Sequence, residues 1–386
     1  MEKIILTGMG LVSAYGYGVA AFEEGLLAGK DAFTPISRFA TEAYRTRLAG
    51  QVRPAMESEH TIPVGQLRTA FLRHAVREAL ESGHYPCGQT NLLAVIMASP
   101  VGVSTGTAGE QGEQSIRLDE WLHDDLPMIR EEVRSPVLPV YLNQACASGL
   151  GGLAYACTLL GAHLCEYALV VGVEVVNEFD HASMDAMRAL SKQVARPFDS
   201  GRDGMLLGEG AGALLLRYWT PEISASAQPY LVIDGIGAMT GARLHVALDE
   251  AVVETCIRRA LATTNQEQIG YLHANANGSP LGDEVELRVL ARIFQQRSTP
   301  LAVSTSKGAI GHLLHCSSFP GVVAAARALL TGVLPPTIGY RSRRPISGLE
   351  LLLSASERVL ERALVNSFGL CGNNFSLVLS RPTAAA

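Results

Sequence analysis

From Ser135 to Cys165 the chain runs without a single Asp, Glu, Lys or Arg. A stretch that long either spans a bilayer or is buried in protein. Its own residues decide between the two. Pro136, Pro139, Asn143, Gln144 and the glycines at 149, 151 and 152 interrupt it. A turn in mid-membrane would leave backbone groups unsatisfied in lipid. The stretch therefore reads as a buried strand, a sharp turn and a buried helix, with Cys146 at the turn.

Other apolar runs fit the same scheme. Ile4–Thr7, Leu92–Met97, Leu138–Leu142, Ala168–Val173 and Ala211–Leu216 read as buried parallel strands. Helical patterns at Val19–Leu27, Val64–Glu81 and Ala147–Leu160 alternate with them, which argues an α/β fold. A polar connection, WTPEISASAQP, follows Tyr218. Beyond it YLVIDGIGAMTG echoes IILTGMGLVSAYG at the start, each read as a strand followed by a Gly-X-Gly turn. A helix at Asp249–Ala262, a strand at Leu301–Ser304, a helix after His312 and a strand at Phe375–Leu379 complete a second round. The expectation is two duplicated α/β halves, residues 1–217 and 228–386.

Composition narrows the class. Hydrophobic residues are 48% and charged residues 18% of 386, which excludes disorder for most of the chain. The net charge is −6 with no basic block, which sets nucleic acid aside. Seven scattered cysteines, without a CxxC pair, suggest neither a zinc site nor a disulfide scaffold. Reduced thiols and the lack of a signal-peptide layout point to the cytoplasm. Lysine is scarce, at Lys3, Lys30, Lys192 and Lys307 only, so a lysine within a motif stands out.

Cys146 lies in VYLNQACASGLGGLAYACTLLGA, where a strand ends and a small-residue helix begins. A helix N-terminus favours thiolate, and its free N–H groups can hold an oxyanion. Cys146 is thus a candidate nucleophile, whereas Cys157 and Cys165 read as small buried hydrophobes.

Here the sequence resembles a family. NQACASG is similar to the nucleophile motif of the β-ketoacyl synthases, the condensing enzymes of fatty-acid and polyketide synthesis. RPFDSGRDGMLLGEGAGALLL, YLHANANGSPLGDEVEL, STSKGAIGHLLH, LPPTIGY and NSFGLCGNNFSLVL resemble further family segments, in family order. The resemblance implies the thiolase fold, two duplicated α/β halves in five layers, and an obligate dimer. It implies an acyl-carrier protein as partner, and no metal or dissociable cofactor. It assigns Cys146 as nucleophile, His312 as second catalytic histidine and Lys307 as electrostatic support. It makes the N–H groups of Cys146 and Leu370 the oxyanion hole, with Leu370 and Cys371 at the acyl-pocket gate.

The departures are as informative. Asn275 stands at the first histidine position, and an amide donates a hydrogen bond but moves no proton near neutral pH. His315 replaces a glycine, and Gly321 replaces a glutamate that would otherwise join Lys307. The loop before Leu244 is shortened, and the carrier-docking region at Glu57–Arg68 is poor in basic residues. These erosions put first a chain-length-factor-like partner, which pairs with an active synthase and shapes its acyl tunnel. The alternative is an active synthase using Cys146, His312 and Asn275, alone in a homodimer or with a paralogue. A cysteine hydrolase on an unrelated fold fits the whole-chain resemblance poorly.

Overall fold

The structure, a computed structural model, describes residues 3–52, 64–89, 92–98, 104–105, 116–117, 120–221, 230–241, 248–342 and 345–382. Most of the polar connection after Tyr218, the loop before Leu244 and most of Glu57–Arg68 lie outside the described residues.

The first half runs β1 (Ile4–Ser13), α1 (Val19–Leu27), α2 (Val64–Ser82), β2 (Leu93–Ala98), α3 (Glu120–Val133), β3 (Val137–Leu142), α4 (Ser148–Gly161), β4 (Tyr167–Glu174), α5 (Glu178–Ala186) and β5 (Gly210–Tyr218). The second runs β6 (Leu231–Thr240), α6 (Glu250–Ala260), β7 (Ile269–His273), α7 (Pro280–Phe294), β8 (Leu301–Ser304), a short α8 (Lys307–Ile310), α9 (Ser318–Thr331), β9 (Leu349–Leu351), β10 (Arg362–Phe368) and β11 (Asn373–Ser380).

The strand order is β3-β2-β4-β5-β1 in the first half and β8-β7-β10-β11-β6 in the second, with β9 added beside β8. In the first half β2 is parallel to β3 and β4, while β5 is antiparallel to β4 and β1. In the second, β7 is parallel to β8 and β10, while β11 is antiparallel to β10 and β6. Order and direction coincide strand for strand, which is the mark of a duplication. The sheets touch where Ile5 and Leu6 pair with Val232 and Leu231. The runs at Ile4–Thr7 and Ala211–Leu216, expected to be parallel, are therefore antiparallel. Burial on both faces makes a run apolar whatever its direction, so the pattern could not tell the two apart.

Alternation of side chains builds the layers. Ile96 and Val170 face an inner core with Leu150 and Leu153 of α4 and Phe319 and Val322 of α9. Val95 and Leu169 face an outer core with Phe71 and Leu72 of α2 and Ile129 of α3. On the far side Leu272, Leu364 and Val378 pack against Val253 and Ile257 of α6 and Val289 of α7. The result is the five-layered thiolase fold, helix–sheet–helix–sheet–helix.

The Gly-X-Gly pairs are not turns. Gly8 and Gly10 lie within β1, Gly235 and Gly237 within β6. A Cβ at Gly8 or Gly10 would come within 2.0 or 1.9 Å of the carbonyl oxygens of Ala79 and Ala75 in α2. A Cβ at Gly235 or Gly237 would meet Ala260 O and Cys256 O of α6 at 2.1 and 1.9 Å. The echo in the sequence records the same close helix–strand approach made twice.

The uncharged stretch forms β3, the turn and α4, and among the described residues no helix is long and apolar enough to cross a membrane. β3 is not the buried strand expected. It is the sheet's edge, with Leu138 and Tyr141 37% and 40% exposed. An apolar edge with open backbone groups is a pairing surface.

Candidate active site

The turn after β3 is stitched by its own side chains. Asn143 Oδ1 accepts from Ala145 N–H at 3.1 Å. Ser148 Oγ accepts from Gln144 N–H at 2.8 Å and donates to Ala145 O at 2.7 Å. Ala145 is held at φ 51°, a conformation that costs a non-glycine residue energy and clusters at functional sites. Cys146 follows at once, just before α4, whose first residues have no side-chain cap.

Cys146, Asn275, His312 and Leu370 line one cavity of about 430 Å³, together with Met184, Met187 and Met205. Four expected site residues thus meet. The backbone N–H groups of Leu370 and of Cys146 itself lie near enough to the Cys146 thiol to favour its thiolate. The expected oxyanion pair therefore faces the sulfur. Cys371, expected at the gate, is exposed and does not line the cavity, because its left-handed backbone (φ 63°) takes the chain around a tight turn there.

Lys307 is buried and reaches the site through Asn275. Its Nζ donates to Asn275 O at 2.6 Å and to Oδ1 at 2.8 Å. Phe368 N–H also donates to Oδ1, at 3.1 Å. Both lone pairs of Oδ1 are taken, so the Asn275 NH₂ is left for the cavity. Lys307, expected to lack a partner beside Gly321, has found one in Asn275. His312 Nδ1 accepts from Leu314 N–H at 3.0 Å and lies 2.8 Å from Ser317 Oγ. Burial, then the Lys307 charge, holds its pKa well below the usual histidine value. The neutral ring therefore carries its proton on Nε2. Asn275 and His312 form a pair of neutral donors.

Acidic groups on α7 support this arrangement. Asp283 accepts from the N–H groups of Phe198, Asn277 and Gly278 at 2.8, 3.0 and 3.0 Å. Glu286 Oε1 accepts from Asn275 N–H at 2.9 Å and Asn366 Nδ2 at 3.0 Å. Burial pushes Glu286 up and Lys307 down. Glu174, at the end of β4, is also pushed up by burial and lies 3.4 Å from His315 Nδ1.

The thiolate expected from the helix N-terminus is not the resting form. Burial raises the Cys146 pKa above its ordinary value of 9, although Lys307 and the two N–H groups act against it and Glu174 adds to it. Desolvation outweighs the dipole at this half-buried position. Alkylation by iodoacetamide is therefore expected to be slow at pH 7 and to climb about tenfold per pH unit to pH 9, because only thiolate reacts. Lys307→Met removes the cation that favours thiolate and should move the profile to still higher pH. A plateau below pH 8 in the parent protein would contradict this.

Sequence reasoning passed over the methionines, Glu286 and His273. Glu286 sits in a motif already quoted, and His273 lies two positions before Asn275 in the same motif. His273 does not line the cavity.

Residues 138–219 match the family model described as beta-ketoacyl synthase, N-terminal domain, and residues 230–341 the corresponding C-terminal domain. A 3-oxoacyl-[acyl-carrier-protein] synthase 2 of Coxiella burnetii is 27% identical over 99% of both chains. The tetracenomycin polyketide synthase ketoacyl synthase alpha subunit of Streptomyces glaucescens is 27% identical over 99% of this chain and 97% of its own. Among solved structures, the ishigamide ketosynthase/chain length factor superposes with a TM-score of 0.84 at 26% identity, over 99% of this chain and 100% of that one. A type II polyketide synthase acyl-carrier protein in complex with its ketosynthase gives 0.83 at 19% identity, over 99% of this chain and 100% of that one, a likeness of fold.

Proposed function

Because the chain belongs to the β-ketoacyl synthase family, we propose that it is an acyl-accepting ketosynthase subunit of a type II fatty-acid or polyketide system, with Cys146 receiving the acyl chain. The observation that carries this reading is the pair of donor sets around one cavity. The N–H groups of Cys146 and Leu370 face the sulfur, and Asn275 with His312 supplies two more. A subunit that only shaped a tunnel would need neither set.

The chemistry follows from these donors. Cys146 gives its proton to solvent and adds as thiolate to the carbonyl carbon of an acyl-carrier thioester, and the two backbone N–H groups hold the oxyanion. The intermediate collapses, the carrier leaves as a thiolate that takes up a proton from solvent, and the acyl group stays on sulfur. A malonyl thioester then loses CO₂. The bonding pair passes into an enolate, whose oxygen takes hydrogen bonds from Asn275 and from His312 Nε2. The enolate carbon attacks the Cys146 thioester, a C–C bond forms, and Cys146 leaves as thiolate, beside the Lys307 charge. Neither Asn275 nor His312 has to move a proton in this sequence, which removes the objection to an amide at position 275.

The partners in this reading are an acyl-carrier protein and a second subunit, this chain or a paralogue, docked along the open edge of β3 in the cytoplasm. No metal or dissociable cofactor takes part. The chain-length-factor reading draws on Asn275 and on the neighbour described as a ketosynthase/chain length factor. The two readings separate in a mixed dimer whose other subunit has lost its own nucleophile. Intact-mass measurement should show an acyl group on this chain, and malonyl-carrier addition should yield β-ketoacyl product. Acyl loading without product, or no loading at all, would favour the partner role.

A further inference from the structure

His273 ends β7, outside the cavity lining and 2% exposed, and its ring is gripped from two sides. On one side Nε2 accepts from Ser306 N–H at 3.1 Å and lies 3.2 Å from Ser306 Oγ. On the other lies Gly321 of α9, where a Cβ would stand 2.8 Å from His273 Nδ1 and 3.1 Å from Cε1. Glycine within a helix is less stable than alanine. Here the missing side chain is what makes room for the imidazole.

We propose that His273 is a positioning residue. Wedged between Gly321 and the Ser306 amide, it fixes the turn that aims Lys307 at Asn275 and the Cys146 thiol. Four other bonds join the same two segments. Ala274 N–H donates to Ser304 O at 2.8 Å, Thr305 Oγ1 to Ala276 O at 2.9 Å, and Lys307 Nζ to Asn275 O and Oδ1. His273 is the one that holds the residue directly before Lys307. It is not a displaced catalytic histidine. It is absent from the cavity lining, and its Nε2 is occupied by Ser306. Burial, then the Lys307 charge, lowers its pKa to about 3, so it stays a neutral acceptor at any working pH. Far apart in the sequence, His273 and Gly321 meet in one contact.

The inference rests on the proposed function only in naming Cys146 the reacting thiol. Its test reads that thiol directly, whether or not the protein condenses acyl chains. The charged groups acting on the thiol are Lys307 and Glu174, and those acting on Lys307 are Glu286 and Asp283. Iodoacetamide alkylation of Cys146 is followed against pH in the full-length protein. His273→Ala and Gly321→Ala should each slow the reaction at pH 8 about tenfold and move the profile to higher pH, one unit being a modest part of a cation's usual effect. His273→Gln, which keeps an acceptor for Ser306 N–H, should return the profile towards the parent's. In a Lys307→Met background His273→Ala should add nothing. An unmoved profile in His273→Ala, or an equal shift with and without Lys307, would overturn the proposal. If His273→Ala does not fold, Gly321→Ala carries the same comparison.

Discussion

On the proposed reading, Cys146→Ala is expected to lower β-ketoacyl formation by at least about a thousandfold while the fold and the proposed dimer persist. The loss follows from the covalent intermediate. Without sulfur no acyl chain waits in the cavity, and the Asn275–His312 pair can stabilise an enolate that has nothing to attack. The fold should survive because the turn's hydrogen bonds belong to Asn143, Gln144, Ala145 and Ser148, and none uses the thiol. Alanines already stand on both sides, at 145 and 147. The measurement is product per active dimer, with sedimentation confirming assembly. Product formation that survives unchanged would make Cys146 dispensable and the chain a tunnel-shaping partner. Decarboxylation without condensation is the informative intermediate result, since it separates the two donor sets.

The largest expected effect on stability is elsewhere. Glu209 is fully buried and forms a two-pronged ion pair with Arg38. Its carboxylate also accepts from Val52 N–H at 2.8 Å and Val176 N–H at 3.0 Å. Three residues from three chain segments converge on one side chain. Burial pulls the Arg38 pKa down to about 10, which leaves it charged at neutral pH. Arg38→Met strands the carboxylate without its cation, a change that costs about 3–5 kcal/mol in buried pairs. The urea midpoint should fall accordingly. Arg38→Met combined with Glu209→Gln should recover part of the loss, because a neutral amide can still accept from both N–H groups. An unchanged midpoint in the single variant would show that water reaches Glu209.

The sequence carried the fold through repetition and the site through motif order, and each failed where three-dimensional contact decides. Gly8, Gly10, Gly235 and Gly237 were visible as an echo, but a turn and a close helix approach both select glycine, so their meaning needed α2 and α6. Leu138–Leu142 looked like any buried strand, since an edge and an interior strand differ in their neighbours and not in composition. Cys146 was legible from its place between strand and helix. Its pKa was not, because the dipole is local and the burial that outweighs it is assembled from distant segments. Asn275 was legible as a departure, whereas the bond from Lys307 that orients its amide joins residues 32 positions apart.

The antiparallel register of β1 and β5 bears on how the chain is made. Ile4 pairs with Tyr218, and Val12 with Ala211, so β1 finds its main partner only when β5 has been made, at the end of the half. At about 5–20 residues per second, that delay is roughly 10 to 40 seconds on the ribosome. For that time an apolar strand with both edges open emerges with nothing to pair with, the kind of segment that chaperones cover and that aggregates when they do not. Soluble yield should therefore depend on how fast the first half is translated, and a pause before Gly210 should cost more than the same pause after Tyr218.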